Sequence, residues 1–274
     1  MQTTTEQDLL QACYSLTTCQ AAQGDWSAFA LRPGGSSLWT TAAALAALGH
    51  GMRQLAMRPR WLERSYKRGW DHLLKTSEGK PIGFNPLTPP DADSSVWLAR
   101  ALNQRIRCPS IQATPTLETA SAWLSTSLSY IERHGCDDPQ RLSTYNRSDQ
   151  ILRFVGRADD AESHWLSGHP CVSANGRRLG EDLRHNEALP PSPITQMLQN
   201  LDTAGKAYWW TDDSIIPALL GEATNKPWIL RVPDHNDPDG TRTTYDTSIT
   251  IEGGEACDQG AFRLILMILS MGSY

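Results

Sequence analysis

The residues of this chain best suited to chemistry lie in "TPPDADSSVWLARAL", residues 88 to 102. There Asp91 and Asp93 sit one residue apart, between a double proline and an apolar helical run. Two carboxylates so placed have two uses. As cap residues they accept hydrogen bonds from the orphan N–H groups of a helix start and gain about 0.3–1 kcal/mol each from the helix dipole. As an acid pair they share a proton, because burial and a neighbouring charge both oppose ionisation and hold a carboxyl protonated near neutral pH. The two uses are compatible, with Asp91 capping and Asp93 turned inward. A second pair, Asp212 and Asp213 in "TDDS", stands at another helix start, where capping is the simpler reading. His169 in "GHPCVSANG" precedes a proline and reads either as a polar rim residue or as a helix-start histidine with a backbone partner.

Aromatic residues are the next resource. The chain has ten tryptophans against four phenylalanines. Trp39, Phe84, Trp97, Tyr145, Trp165, Tyr208, Trp209 and Trp210 fall at or near the starts of apolar segments. Packing between helices accounts for most such rings. Those that line a cavity would bind substrate and stabilise cations through their π faces, by about 2 kcal/mol or more when desolvated. Trp97, one helical turn beyond Asp93, is the strongest candidate.

Metal chemistry is less well supported. The six cysteines are scattered without a CxxC, and only Cys136 near His134 and Cys171 near His169 have the character of zinc ligands, so no metal site is expected. A diphosphate substrate would require Mg2+ on carboxylates such as Asp212, Asp213 and Glu222, or the cations Arg177 and Arg178. No spacing singles out either set.

A formal net charge of -5 argues against a nucleic-acid partner. The most apolar run, "AFRLILMILSM", is interrupted by Arg263 and is far shorter than the ~20 residues of a membrane span. With no signal-peptide pattern at the N-terminus, the expected setting is the cytoplasm.

The elements that must position these residues are helical. Apolar spacing predicts helices over 5–22, 37–49 (capped by Ser37 and stopped by Gly49), 58–76, 94–106 and 116–135, the last opening at Thr116. Shorter helices are predicted over 146–155, 171–179, 193–203, 212–222 and 259–272, and 244–251 alternates weakly as a strand or a helix entry. Internal repetition organises them. Segments 24–49, 83–102, 169–176 and 208–220 each run from an aromatic or histidine-containing entry, through a Ser or Thr, into an Ala/Leu helix. Thr41 and Ser95 are 54 residues apart and Ser173 and Ser214 are 41 apart, which fits one helical hairpin per repeat. A further hairpin is expected around "LSTYNRSDQILRFVG". Such hairpins bury a continuous core only by stacking on their neighbours, in an arc or a closed ring.

The segments "GFNPLTPPDADSSVWLARAL", "GHPCVSANG", "YWWTDDSIIPALL" and "YDTSIT" resemble the prenyltransferase and squalene-oxidase repeats of class II terpene cyclases, such as squalene–hopene cyclases and bacterial diterpene cyclases. The resemblance extends over roughly 24–250. It implies an all-α fold, a single α/α toroid of two concentric rings of helices over 1–274. It also implies protonation-initiated cyclisation or isomerisation of an isoprenoid. The family's D-x-D-D motif reads here Asp91-Ala92-Asp93-Ser94, so the resemblance makes Asp93 the proton donor, with Asp91 and Ser94 tuning it and Ser94 standing where the family has a third acid. The other reading is a non-catalytic or repurposed toroid that binds a small molecule or a partner protein. Family members usually hold substrate between two or three helical domains. A homodimer that covers the cavity mouth is the expected substitute in a chain long enough for one. The zinc-binding Asp-x-Cys pattern of protein prenyltransferases and the Cys-Gly-Glu-Gln thioester of complement-type toroids are absent.

Overall fold

The computed structural model describes residues 6–27, 30–31, 34–109, 115–136, 140–147, 165–189, 192–205, 215–220, 265–269 and 271. The helices among them are α1 (Glu6–Thr18), α2 (Ser37–Gln54), α3 (Arg60–Ser77), α4 (Ala92–Ile106), α5 (Leu117–Glu132), α6 (Pro170–Arg184), α7 (Pro193–Gln199) and α8 (Ile215–Leu219), with a further helical turn at 265–269. Two antiparallel two-residue pairs join the loops: β1 (Ala30–Leu31) with β2 (Gly34–Gly35), and β3 (Gly135–Cys136) with β4 (Arg141–Leu142).

Burial sorts the helices into two layers. α2 is buried from Leu38 to Met52, and α4 from Ser94 to Ile106. A helix without a solvent face must be wrapped by others. α4 is wrapped by α2, α5 and α6, and α6 in turn contacts α7 and α8. The partner helices bury one stripe only: Leu62, Tyr66, Trp70 and Leu73 on α3, and Ala120, Trp123, Leu124 and Ile131 on α5. Thus α2, α4 and α6 form the inner layer and α3, α5 and α7 the outer one. The last described residues return to the first inner helix, where His50 Nε2 meets the Met271 carbonyl oxygen at 2.7 Å and Ile268 lies against Gly51.

The sequence repeat has a structural counterpart. Each inner helix carries one buried hydroxyl near its start that bonds to the backbone of the extended segment leading into it. Thr41 Oγ1 accepts from the Trp26 N–H at 2.9 Å, Ser95 Oγ donates to the Ile82 carbonyl at 3.2 Å, and Ser173 Oγ accepts from the Leu142 N–H at 3.0 Å. The N-cap residues reinforce the tie, since the Asp91 N–H donates to the same Ile82 carbonyl and the His169 N–H to the carbonyl of Leu142. Thr41 and Ser173 satisfy backbone N–H groups that burial would otherwise leave unpaired, and Ser95 adds a second bond to a carbonyl already paired.

Three expectations change. Gly49 does not stop α2, which runs on to Gln54. A Cβ there would come within 2.8 Å of the Gln104 Cβ, and one on Gly51 within 2.8 Å of Cys13 Sγ. These glycines therefore let α4 and α1 approach α2 closely. The N-cap of α2 is Ser36 rather than Ser37, and its Oγ bonds Thr40 Oγ1 rather than a backbone N–H. Residues 142–147 of the expected extra hairpin are strand, bridge and bends rather than helix, because Leu142 to Tyr145 are taken up in bonds to Ser173, His134, Gly168, Ala92 and Trp165. The rest of that hairpin and the segments 208–214 and 221–251 lie outside the described residues. Thr116 caps α5 as expected, accepting from the Thr119 N–H.

Candidate active site

The start of α4 is fixed from three sides. Asp91 N and Ser95 Oγ reach Ile82, Ala92 N donates to the Thr144 carbonyl at 2.9 Å, and Tyr130 Oη donates to the Pro90 carbonyl at 2.5 Å. Asp91 has φ -134° and ψ 161°, the extended geometry of an N-cap. Its Oδ1 accepts from the Ser94 N–H and its Oδ2 from Ser94 Oγ–H, both at 2.7 Å. Asp91 is 3% exposed. It is both a helix cap and a buried carboxyl, and burial followed by the charge of Asp93 pushes its pKa up to about 7 against the pull of the Ser94 donors.

Asp93 projects from the first turn. Its Oδ2 accepts from Trp39 Nε1–H at 2.8 Å, a contact that joins α2 to α4. Burial raises its pKa to about 6, while Trp39 and then Asn175 hold it down. Asp93 keeps some accessible surface, whereas Asp91 and Ser94 keep almost none. It is thus the less enclosed member of the pair. Repulsion between two carboxylates is mutual, so ionisation of either opposes ionisation of the other.

A second layer of contacts backs this pair. Trp97 has no accessible surface and packs edge-on against Trp39, with centroids 6.1 Å apart. Below it, the Arg100 guanidinium lies 4.6 Å from the Trp97 ring centre. Arg100 Nη1 donates to Asn175 Oδ1 at 2.8 Å, across from α4 to α6. Asn175 Nδ2 lies on the side of Asp93 but makes no hydrogen bond within 3.5 Å. Tyr145 stacks obliquely on Trp165 at 5.6 Å, and burial with the nearby charge of Asp91 raises its pKa well above the usual phenol range.

The site residues read from the sequence are therefore distributed as follows. Asp91, Asp93, Ser94, Trp39 and Trp97 meet at the start of α4. Ser94 bonds Asp91 and makes no bond to Asp93, so it acts on the pair through the capping residue. Trp97 lies behind Trp39 and presents no surface to a ligand. Tyr145 and Trp165 form a separate small cluster on the chain that leads into α6. Phe84 is half-buried on the lead-in of α4, its carbonyl accepting from Trp39 N–H. His169 is the buried N-cap of α6, the same position that Asp91 holds on α4. Tyr208, Trp209, Trp210, Asp212, Asp213 and Glu222 lie outside the described residues. Arg177 and Arg178 are engaged with Glu181 and Asp182, and Arg178 also with the Leu220 carbonyl. Among the described residues, no three His, Cys, Asp or Glu side chains cluster as metal ligands. No described helix is long and apolar enough to cross a membrane. A cleft of about 320 Å³ beside Leu38, Ser77, Ile82 and Thr88 abuts the same lead-in without reaching either acid.

Sequence reasoning missed Asn175 and Arg100. The available signal was a charged and an amide residue inside otherwise apolar inner helices, "WLARAL" and "VSANG". What hid them is that their meaning depends on each other, across two helices.

No protein-family model and no curated protein matches this sequence. Solved structures match in fold. A protein from Actinoplanes has a TM-score of 0.57 and 22% identity over 80% of this chain and 60% of its own. The type II terpene cyclase MstE from Scytonema, in complex with merosterolic acid A (product), has a TM-score of 0.55 and 16% identity over 79% and 58%. The same cyclase in complex with geranylgeranyl dihydroxybenzoate (substrate) gives 0.55 and 16% over 79% and 57%. The chain spans about three fifths of the length of these structures. At these identities the likeness establishes the fold, an all-α toroid of the terpene-cyclase kind.

Proposed function

We propose that this chain is a class II terpene cyclase-like enzyme that starts cyclisation or isomerisation of an isoprenoid by protonation, with Asp93 as general acid. The observation that supports this best is a pair of carboxyls at the start of an inner helix, both with pKa values raised towards neutrality by burial and one of them less enclosed than the other. In the step, the Asp93 O–H proton passes to an alkene carbon. The π electrons form the new C–H bond, a carbocation remains on the neighbouring carbon, and Asp93 keeps the O–H electrons as carboxylate. Asp91, tied to Ser94 and itself raised to about 7, opposes ionisation of Asp93 to the extent that it is ionised, and burial of both carboxyls keeps a proton on the pair towards neutral pH. Trp39 orients Asp93 through Oδ2, Trp97 buttresses Trp39, and rings such as Phe84, Tyr145 and Trp165 offer π faces to the cation. General acid catalysis contributes about 10²–10⁴-fold, so cavity shape and preorganisation carry the remainder.

The substrate class is an isoprenoid chain, in keeping with the prenylated ligand of the Scytonema cyclase. Mg2+ enters only with a diphosphate substrate, and a second copy of the chain would cover the cavity mouth. The other reading, a toroid that binds without catalysis, is favoured by Ser94 in place of a third acid.

The test is incubation with farnesyl- and geranylgeranyl-bearing substrates and squalene, with product analysis by mass spectrometry for wild type and Asp93→Asn. The expected result is a cyclised or isomerised product from wild type, reduced at least a hundredfold in the variant. Equal product from both removes Asp93 from the mechanism, and binding without product supports the second reading.

A further inference from the structure

We propose that the corner between α2 and α3 is a docking surface for anionic phospholipid, by which the chain lies against a bilayer surface without spanning it. The inference is independent of the reaction proposed above. The chain as a whole has a formal net charge of -5, yet residues 53–68 carry Arg53, Arg58, Arg60, Arg64, Lys67 and Arg68 against the single acid Glu63. These residues form the last turn of α2, the connecting loop and the first half of α3.

Two kinds of side chain meet there. The first is cationic. Arg53 donates to Gln104 Oε1, Arg64 to the Arg60 carbonyl, and Arg68 to the Ala21 and Ala22 carbonyls. These acceptors are neutral, so the bonds orient the guanidiniums without cancelling their charge. Lys67 is paired with Asp71, and Glu6 stands beside the loop at the Ala56 N–H, so the excess of positive charge comes from the arginines. The second kind is apolar. Met57, in the middle of the loop, is 83% exposed, and Tyr14 on α1 is 50% exposed. Tyr14 stands edge-on to the half-buried Trp61 of α3, with centroids 5.4 Å apart. The apolar stripe of α3 is spent on the core through Leu62, Tyr66, Trp70 and Leu73. What remains outside is a protruding methionine and an amphipathic aromatic pair set among arginines.

This combination fits a bilayer better than a macromolecule. A peptide partner is held in a groove or along a sheet edge, and the cleft beside Ser77 and Ile82 lies at the far end of α3. A nucleic acid takes the cations but leaves Met57 in water. An anionic bilayer takes both. Its headgroups attract the arginines, tyrosine and tryptophan settle at headgroup level, and an unbranched apolar side chain reaches the acyl boundary.

The orientation follows from α2, whose 18 residues span about 27 Å. Trp39, with its bond to Asp93, is near the start of α2, and Met57 lies just past its end. A bilayer held at the corner therefore leaves the acid pair at the opposite end. Leu87 marks that end: it is 72% exposed, and its neighbour Asn85 bonds the Gly35 carbonyl ahead of α2.

The test is co-sedimentation of the full chain with vesicles of phosphatidylcholine alone and of phosphatidylcholine mixed with phosphatidylserine. Binding is expected to the mixed vesicles only, weakening as salt is raised. Arg60→Gln with Arg64→Gln removes two exposed charges and is expected to weaken binding about twenty-five-fold, at about fivefold per arginine. Arg60→Lys with Arg64→Lys is expected to retain it. Met57→Ser is expected to weaken it about tenfold, the equivalent of roughly two buried methylenes, and Leu87→Ser to leave it unchanged. All four side chains are exposed, so the variants keep the fold, and circular dichroism checks this. Equal binding to both kinds of vesicle, binding to neither, or an equal loss in Leu87→Ser overturns the inference. So does a dimer in sedimentation velocity that the double glutamine variant loses, which assigns the corner to a second copy. Duplex DNA bound as tightly as the mixed vesicles, and lost in the same variant, makes the corner a general polyanion site and overturns it too.

Discussion

Replacing Asp91 by asparagine tests the electrostatics of the site as a stability measurement. In the folded chain Asp91 titrates at about 7, against an ordinary value of 3.8. Between about pH 4 and pH 7 the unfolded chain therefore loses the Asp91 proton while the folded chain keeps it. The unfolded state is favoured increasingly through that window, so the native state loses stability as pH rises. At 1.36 kcal/mol per unit, a gap of about three units amounts to about 4 kcal/mol by pH 8. Asparagine is as good an N-cap as aspartate. Its Oδ1 can still accept the Ser94 N–H, and its amide can donate to Ser94 Oγ once that hydroxyl turns. The variant thus keeps the cap and removes the ionisation. Asp91→Asn is expected to match wild type at pH 4 and to exceed its stability by up to about 4 kcal/mol at pH 8. The assay is urea unfolding at half-unit steps from pH 4 to pH 8, comparing the two proteins at each step so that other titrating groups cancel. A difference that does not change with pH, or a variant less stable than wild type at pH 8, refutes the reasoning.

Two further outcomes follow from the same geometry. Trp39→Phe removes the donor to Asp93 Oδ2 but keeps a ring against Trp97, so the Asp93 pKa should rise by about one unit or more, seen by carbon-13 NMR of labelled aspartate. Gly51→Ala places a Cβ 2.8 Å from Cys13 Sγ and 3.4 Å from Ile268, so overpacking should cost about 1–3 kcal/mol in urea unfolding.

The fraction of the fold legible in the sequence is large and follows a pattern. Helices α2 to α5 were visible because their apolar spacing and their starts are local signals. Thr116 opens α5 and Asp91 opens α4 as cap chemistry predicts. The repeat of a hydroxyl near each inner-helix start was also visible, and it marks the residues that tie Trp26, Ile82 and Leu142 to their helices. The errors are instructive. Gly49 looks like a helix stop because a missing side chain has the same spelling whether it frees the backbone or admits a neighbouring helix. Ser94 looks free to reach Asp93, yet its hydroxyl and its N–H both go to Asp91 because the cap geometry places that carboxylate over the first turn.

By itself, the sequence determined the helical class, the repeat, and the two acids at a helix start, because each depends on residues within a turn or two of one another. The tertiary structure alone decided which acid is less enclosed and what surrounds it. Trp39 reaches Asp93 across 54 residues and Arg100 reaches Asn175 across 75. Such contacts depend on how α2, α4 and α6 pack side by side, and burial in that packing is what moves both carboxyls towards neutrality. Local pattern carries no information on burial of that kind, because desolvation is a property of everything that surrounds a group and not of its neighbours in the chain.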